Sequence, residues 1–358
     1  MRATSPILNF PWFSFDGLKK RLLDYGPAAP PPPPRLGLVL SCGGARGLAH
    51  IGVIQVLEEQ NIPISVIMGS SMGAYVGALW AAGVKGPELA TLAAEIRDRR
   101  TLLRLIDLTF PPMSGFLRGH KVRRHLERTL KTRTLAELDR PMYIVATNLD
   151  TVCGEVLPPD TSVAAAVQAS CAIPGIVSPV TLNNRRWIDG GAAEPLPVAL
   201  LHKVAEVDAV IAVNVMPTLT DIQSSSHKAY PMPPPVAVTL GRRFWSAISR
   251  NFNLFAYGNV LDTFKRCLTS SQLRVIADES ARAEVLIHPF FFESRWYDFE
   301  NFNRYIDAGR QAAEAALPQI RALLRQNRSQ SGSETPVSVS RDAIPHVDAI
   351  AAAVCSKT

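Results

Sequence analysis

Val66-Ile67-Met68-Gly69-Ser70-Ser71-Met72-Gly73-Ala74-Tyr75 carries an apolar run into a small-residue run through a serine set between two glycines. Residues 64–68 read as a buried strand and 72–82 as a helix. In that setting Gly69-x-Ser71-x-Gly73 has the spacing of a nucleophile elbow, a tight turn that exposes a hydroxyl at the start of a helix. The flanking glycines let neighbouring elements approach closely, and the helix N-terminus favours an alkoxide. Ser70 falls out of register with the motif and reads as a structural hydroxyl.

The same pattern stands immediately upstream. Residues 36–41 form an apolar strand, Cys42-Gly43-Gly44-Ala45-Arg46-Gly47 a glycine-rich loop, and 47–60 a segment with helical spacing at Ile51, Ile54, Val56 and Leu57. Strand, loop and helix occur twice between 36 and 82. This predicts an α/β fold of three layers, α/β/α, around a central and mostly parallel sheet.

Composition agrees. The chain has 358 residues, 47% hydrophobic and 19% charged, which is the profile of a globular protein. Its formal net charge of +7 suits an anionic surface but is modest for the length. The densest basic runs, at 97–100 and 121–124, read as solvated helix faces, and no nucleic-acid partner is expected. Five cysteines, odd in number and without a CxxC pair, make neither a zinc pattern nor a compact disulfide framework, which favours a cytoplasmic setting. The uncharged tracts 62–84 and 161–184 are interrupted by glycine, serine or proline, so they read as core elements with a central turn.

Residues 1–35 read as an appendage: an aromatic and basic segment, then five prolines at 30–34 as a stiff spacer. The catalytic domain is expected over 36–326, and a polar, serine-rich tail over 327–358 reads as disordered. Within the domain, helices are expected in 87–140, strands at 142–147, 186–188, 209–215 and 283–287, a mobile loop at 217–235, and helices at 236–271 and 301–326. The helix at 242–268 interleaves Phe244, Trp245, Phe252, Phe255 and Tyr257 with Arg242, Arg243 and Arg250. It is weighed as a membrane contact against a core-packing helix.

A serine nucleophile needs a base. None of the seven histidines has a convincing triad setting; His288 follows a strand but is hemmed in by Ile287 and Pro289. Asp189, in Arg186-Trp187-Ile188-Asp189-Gly190-Gly191, ends a short strand, and in an open parallel sheet ligands sit beyond strand C-termini. The competing reading is a plain Asp-Gly turn. The amides of Gly43, Gly44 and Ala45 could supply the donors that a developing oxyanion needs. A dinucleotide-binding reading of 42–47 fails because the second strand ends in Gly69-Ser70-Ser71, with no acidic residue to grip a ribose.

Together these blocks resemble the patatin-like phospholipase family. Its signatures are a G-G-G-x-R/K-G loop, a G-x-S-x-G elbow and a D-G-G/A turn. They read here as Cys42-Gly43-Gly44-Ala45-Arg46-Gly47, Gly69-Ser70-Ser71-Met72-Gly73 and Asp189-Gly190-Gly191. Ala169-Ser170-Cys171-Ala172-Ile173-Pro174-Gly175 resembles a fourth block, A-S-x-A-x-P. The likeness covers about 36–325 and is strongest to the bacterial branch related to the catalytic domain of neuropathy target esterase.

The resemblance implies Ser71 as nucleophile and Asp189 as general base. It implies an oxyanion hole from the 43–45 amides, with Arg46 and Gly47 supporting the loop. No metal or cofactor is implied. The implied substrate is a lipid ester, with peripheral contact at the inner face of the membrane. Acyl transfer to another alcohol, or a non-catalytic lipid-binding module, are the alternatives. Cys42 departs from the family's first glycine. It is harmless if it merely ends the strand and straining if that position needs a positive φ.

Overall fold

The computed structural model describes residues 34–97, 107, 115–130, 133–225 and 260–330. Strand β1 (Leu36–Leu40) leads through a 3-10 turn, Gly44–Leu48, into α1 (Ala49–Glu59). Strand β2 (Ile64–Ser70) leads directly into α2 (Met72–Ala81). Then come α3 (Gly86–Arg97), α4 (His120–Leu130), β3 (Met142–Asn148), β4 (Cys153–Val156) and α5 (Val163–Ser170). Strands β5 (Val180–Leu182) and β6 (Arg185–Asp189) precede α6 (Val198–Val204) and β7 (Ala209–Val213). The order closes with α7 (Leu219–Ser225), α8 (Val260–Ser280), β8 (Val285–Ile287) and α9 (Phe302–Gln330).

The strands form one sheet in the order β5-β6-β3-β2-β1-β7-β8, with β4 paired to β3. From β3 to β8 every pairing is parallel, while β4, β5 and β6 are joined antiparallel. The expected three layers follow from strand alternation. Leu36, Leu38 and Leu40 enter one core with Ile211 and Val213, beside apolar residues of α1, α2, α5 and α9. Val39, Val66, Met68, Val210 and Ala212 enter a second core, with Val198 and Leu201 of α6 and Ile276 of α8.

Several expected bounds change. A helix, α7, stands where a loop was expected after residue 217. Its start is capped by Thr218, whose amide and hydroxyl both donate to Asp221 Oδ2 at 2.7 and 2.6 Å. The Thr-x-x-Asp spacing that does this is legible in the sequence. Helix α9 runs on to Gln330, four residues into the expected tail. Of the helix expected at 236–271, only the part from residue 260 is described, and it continues to Ser280. The remaining tail, residues 1–33 of the appendage and the aromatic segment before 260 lie outside the described residues.

Helices α1 and α9 cross at glycines. A Cβ at Gly309 would run into the carbonyl of Ala49, and one at Gly52 into the carbonyl of Ile306. Neither neighbour is a flexible side chain, so any larger residue must push the helices apart. Gly309→Leu is expected to lower the unfolding free energy by about 3 kcal/mol, read from the midpoint of urea denaturation, with the slope unchanged.

Candidate active site

Ser71 lies between the last residue of β2 and the first of α2, with φ 53° and ψ −119°. A non-glycine residue there is strained by about 1–3 kcal/mol, so surrounding bonds must hold it. Ser170, the last residue of α5, does so. Its hydroxyl donates to the Val145 carbonyl at 2.6 Å and accepts the Ser71 amide at 2.9 Å. The flanking glycines leave no slack: a Cβ at Gly73 would strike the Leu40 carbonyl, and one at Gly69 the Gly73 backbone. Ser70 is fully buried, with no partner for its hydroxyl among the described residues.

Asp189 reaches Ser71 by register, not by the route expected. Strand β6 is antiparallel to β3, so the strand-C-terminus argument does not apply to it. Strand β3 pairs with β2 as far as Ser70 opposite Val145 and then continues to Asn148. β6 pairs along that overhang, with Asp189 opposite Ala146, one residue beyond the Ser70 level. The Ser71 hydroxyl donates to Asp189 Oδ2 at 2.5 Å, and the Gly191 amide donates to Oδ1 at 2.7 Å. Both groups are buried, Ser71 at 5% and Asp189 at 6% exposure.

The aspartate turn is clamped from three sides. Thr147 donates its hydroxyl to the Asp189 carbonyl at 2.9 Å, and Gln272 of α8 donates Nε2–H to the Gly191 carbonyl at 2.7 Å. On the third side the Cys42 side chain fills the space beside Gly191, where a Cβ would meet it at 2.7 Å, while a Cβ at Gly190 would strike the Val145 carbonyl. Burial pushes the Asp189 carboxyl up to about 6, against the pull of its bonds to Ser71 and Gly191. Cys42 and Cys171 stand beside this carboxylate. Burial first, and the Asp189 charge second, push both thiols far above their ordinary value, so they stay neutral.

The glycine loop settles the Cys42 alternatives. Cys42 is absent from the positive-φ residues, and its amide donates to the Pro195 carbonyl at 2.9 Å. The turn is made at Gly44, with φ 59°, where the Trp296 carbonyl leaves no room for a Cβ. One expectation is corrected. The Ala45 amide donates to that same carbonyl at 2.7 Å, so it is already committed and cannot also serve an oxyanion in this arrangement. Among the described residues no such partner is found for the Gly43 and Gly44 amides. Arg46 acts as loop support: its guanidinium reaches the Ser294 hydroxyl at 3.0 Å and carbonyl at 2.9 Å. Gly47 abuts Met72, which joins the loop to the elbow.

Neither histidine near these strands joins the pair. His50 is fully buried and donates Nε2–H to the Ser41 carbonyl at 2.9 Å, with burial pushing it down to about 4. His288 Nδ1 faces the Asn214 carbonyl at 2.7 Å and Nε2 faces Asp221 at 2.8 Å. Among the described residues no cluster of three or more His, Cys, Asp or Glu is placed to hold a metal ion. No described helix is long and apolar enough to cross a membrane. Cys42, Cys171 and Cys267 are free thiols.

Ser170, Thr147, Gln272, Ser294 and Trp296 are the supporting residues that sequence reading missed. Only Ser170 lay in a motif; the others are isolated polar or aromatic residues with no local pattern.

Fold and site together define a three-layer α/β/α protein with a serine on a strand–helix elbow bonded to a buried aspartate. Residues 38–202 match the family model described as patatin-like phospholipase. Over those residues the chain is similar to patatin-like phospholipases. An NTE family protein of Mycobacterium bovis is 40% identical over 185 residues, covering 51% of this chain and 49% of its own length. A second from the same organism is 30% identical over 293 residues, covering 81% of this chain and 48% of its own. A Pyricularia oryzae protein named lysophospholipase NTE1 is 33% identical over 184 residues, covering 50% of this chain and 12% of its own. The chain therefore spans about half the length of these mycobacterial relatives.

The raised Asp189 carboxyl has a thermodynamic sign. Its folded value of about 6 lies above the ordinary 3.8, so the unfolded chain ionises first and stability falls as pH rises between the two. Above that window the cost is on the order of 3 kcal/mol. Asp189→Asn is expected to raise the melting temperature at pH 8 by several degrees. The advantage should vanish below the ordinary carboxylate range, where Asp189 is protonated in both states; thermal scans at both pH values check this.

Proposed function

We propose that this domain hydrolyses lipid carboxylic esters with Ser71 as nucleophile and Asp189 as its base. The observation that carries the reading is the 2.5 Å bond from the Ser71 hydroxyl to Asp189 Oδ2. A carboxyl near 6 is ionised at neutral pH yet basic enough to take a proton as the serine attacks. Ser71 Oγ adds to the acyl carbonyl while its proton passes to Asp189 Oδ2. The carbonyl oxygen becomes an oxyanion, met by the Gly43 and Gly44 amides. Collapse expels the alcohol, which takes the proton back from Asp189, and leaves an acyl-serine. Water then attacks that ester with Asp189 again as base, releasing the fatty acid and restoring Ser71.

The patatin-like phospholipase match and the lysophospholipase name of the fungal relative support a phospholipid or lysophospholipid as the ester. Arg46 serves this chemistry through its grip on Ser294, which keeps the loop and its Gly43 and Gly44 amides in place. Losing one oxyanion donor typically costs about 3 kcal/mol of transition-state stabilisation, so the loop must not drift.

Hydrolysis of a short chromogenic ester by the wild type, Ser71→Ala and Asp189→Asn tests the reading. Each variant is expected to lose at least about a thousandfold in kcat/KM. In the wild type kcat/KM should rise with pH through about 6 and then level, because the base must be ionised. Activity that survives in both variants overturns the mechanism. Product analysis with a competing alcohol separates hydrolysis from acyl transfer.

A further inference from the structure

We propose that the exposed arginine face of α4 docks this protein on an anionic phospholipid bilayer. The proposal rests on the lipid-ester reading above and names the surface that would bring the site to its substrate.

Helix α4 is strongly two-sided. Leu126 and Leu130 are buried, and Val122 packs with them against the main core. On the other side Lys121, Arg124 and Arg128 are exposed, at spacings of three and four that place them on one face. Arg118 is exposed just ahead of the helix. The single carboxylate of α4, Glu127, is taken by Arg123 at 2.8 Å. Among the described residues Arg118, Arg124 and Arg128 have no carboxylate partner.

This arrangement does not favour the helix itself. Arg124 and Arg128 are like charges four residues apart, and the first turn holds no acidic residue to match the helix dipole. The dipole end is met from outside, where the Asp107 carboxylate accepts the Gly119 and His120 amides, both at 2.8 Å. An arginine face held against these costs fits an anionic surface, since each basic residue near such a membrane adds about fivefold to its binding.

The face is also tied to the site. Gln168 of α5 donates Nε2–H to the Arg118 carbonyl at 3.1 Å, and the Phe116 and Leu117 amides both reach the Ile176 carbonyl at 2.9 Å. Two residues beyond Gln168, Ser170 holds the Ser71 amide. Less than one helical turn of α5 therefore separates the base of the arginine face from the support of the elbow. A nucleic-acid partner would use the same charges. The bilayer is favoured because it contains the ester that Ser71 is read to attack.

Sedimentation of the full chain with vesicles tests the proposal. Vesicles of phosphatidylcholine mixed with phosphatidylglycerol should bind it, pure phosphatidylcholine vesicles should not, and added salt should release it. Replacing Arg118, Arg124 and Arg128 together with Gln should weaken binding about a hundredfold. The corresponding Lys variant should bind like the wild type. Turnover of a short water-soluble ester should be unchanged in both, which shows that they fold and leaves the dyad out of the comparison. Equal binding by the Gln variant, or equal binding to neutral vesicles, overturns the proposal. So does salt-sensitive binding of duplex DNA with none to vesicles. If the wild type does not hydrolyse the soluble ester, the hydrolase reading fails, while the vesicle result still decides the docking surface, with melting temperatures then checking that the variants fold.

Discussion

The overhang of β3 past β2 is the constraint on which the site depends. Parallel neighbours end together at one edge of the sheet, and β2 delivers Ser71 there by ordinary strand–helix logic. The aspartate comes from a strand running the other way. It can meet Ser71 only because β3 extends beyond β2 and gives β6 an edge to pair with at the right level. A slip of one residue would turn Asp189 to the opposite face of the sheet. The clamps on its turn, from Thr147, Gln272 and the Cys42 side chain, are thus devices for holding register as much as for holding a carboxylate.

Holding that carboxylate in a dry place has two consequences with one cause. Burial raises the Asp189 carboxyl to about 6, which makes it a better base and a poorer contributor to folding at neutral pH. The strained backbone at Ser71 adds a second local cost. The surrounding core meets both: β1 and β7 are buried along their full length, and α1 and α9 are drawn together at glycines. The same rigidity explains why Cys42 is tolerated in the loop. Its backbone is unstrained, and its side chain fills a gap against Gly191.

The parts legible in the sequence were those whose cause is local. The elbow, the glycine loop and the layered sheet follow from apolar runs meeting glycines at set spacing, and all three stand where the pattern put them. The capped start of α7 was equally legible through Thr218 and Asp221 but was masked by the polar composition around it. What was not legible required distant chain. The commitment of the Ala45 amide to Trp296, and the grip of Arg46 on Ser294, join residues some 250 positions apart. No spacing rule reports that a backbone donor is already in use.

The sequence by itself determined the strand–turn–helix at the serine and the turn-forming glycines, because backbone preference and strand periodicity act over a few residues. Only the tertiary structure decided that β6 runs antiparallel along the end of β3, and that the carboxylate therefore faces the serine. It also decided that the Ala45 amide is already engaged and which helix face carries arginines without a carboxylate partner among the described residues. Those outcomes depend on pairing register and on packing between distant segments, which no local run of residues specifies.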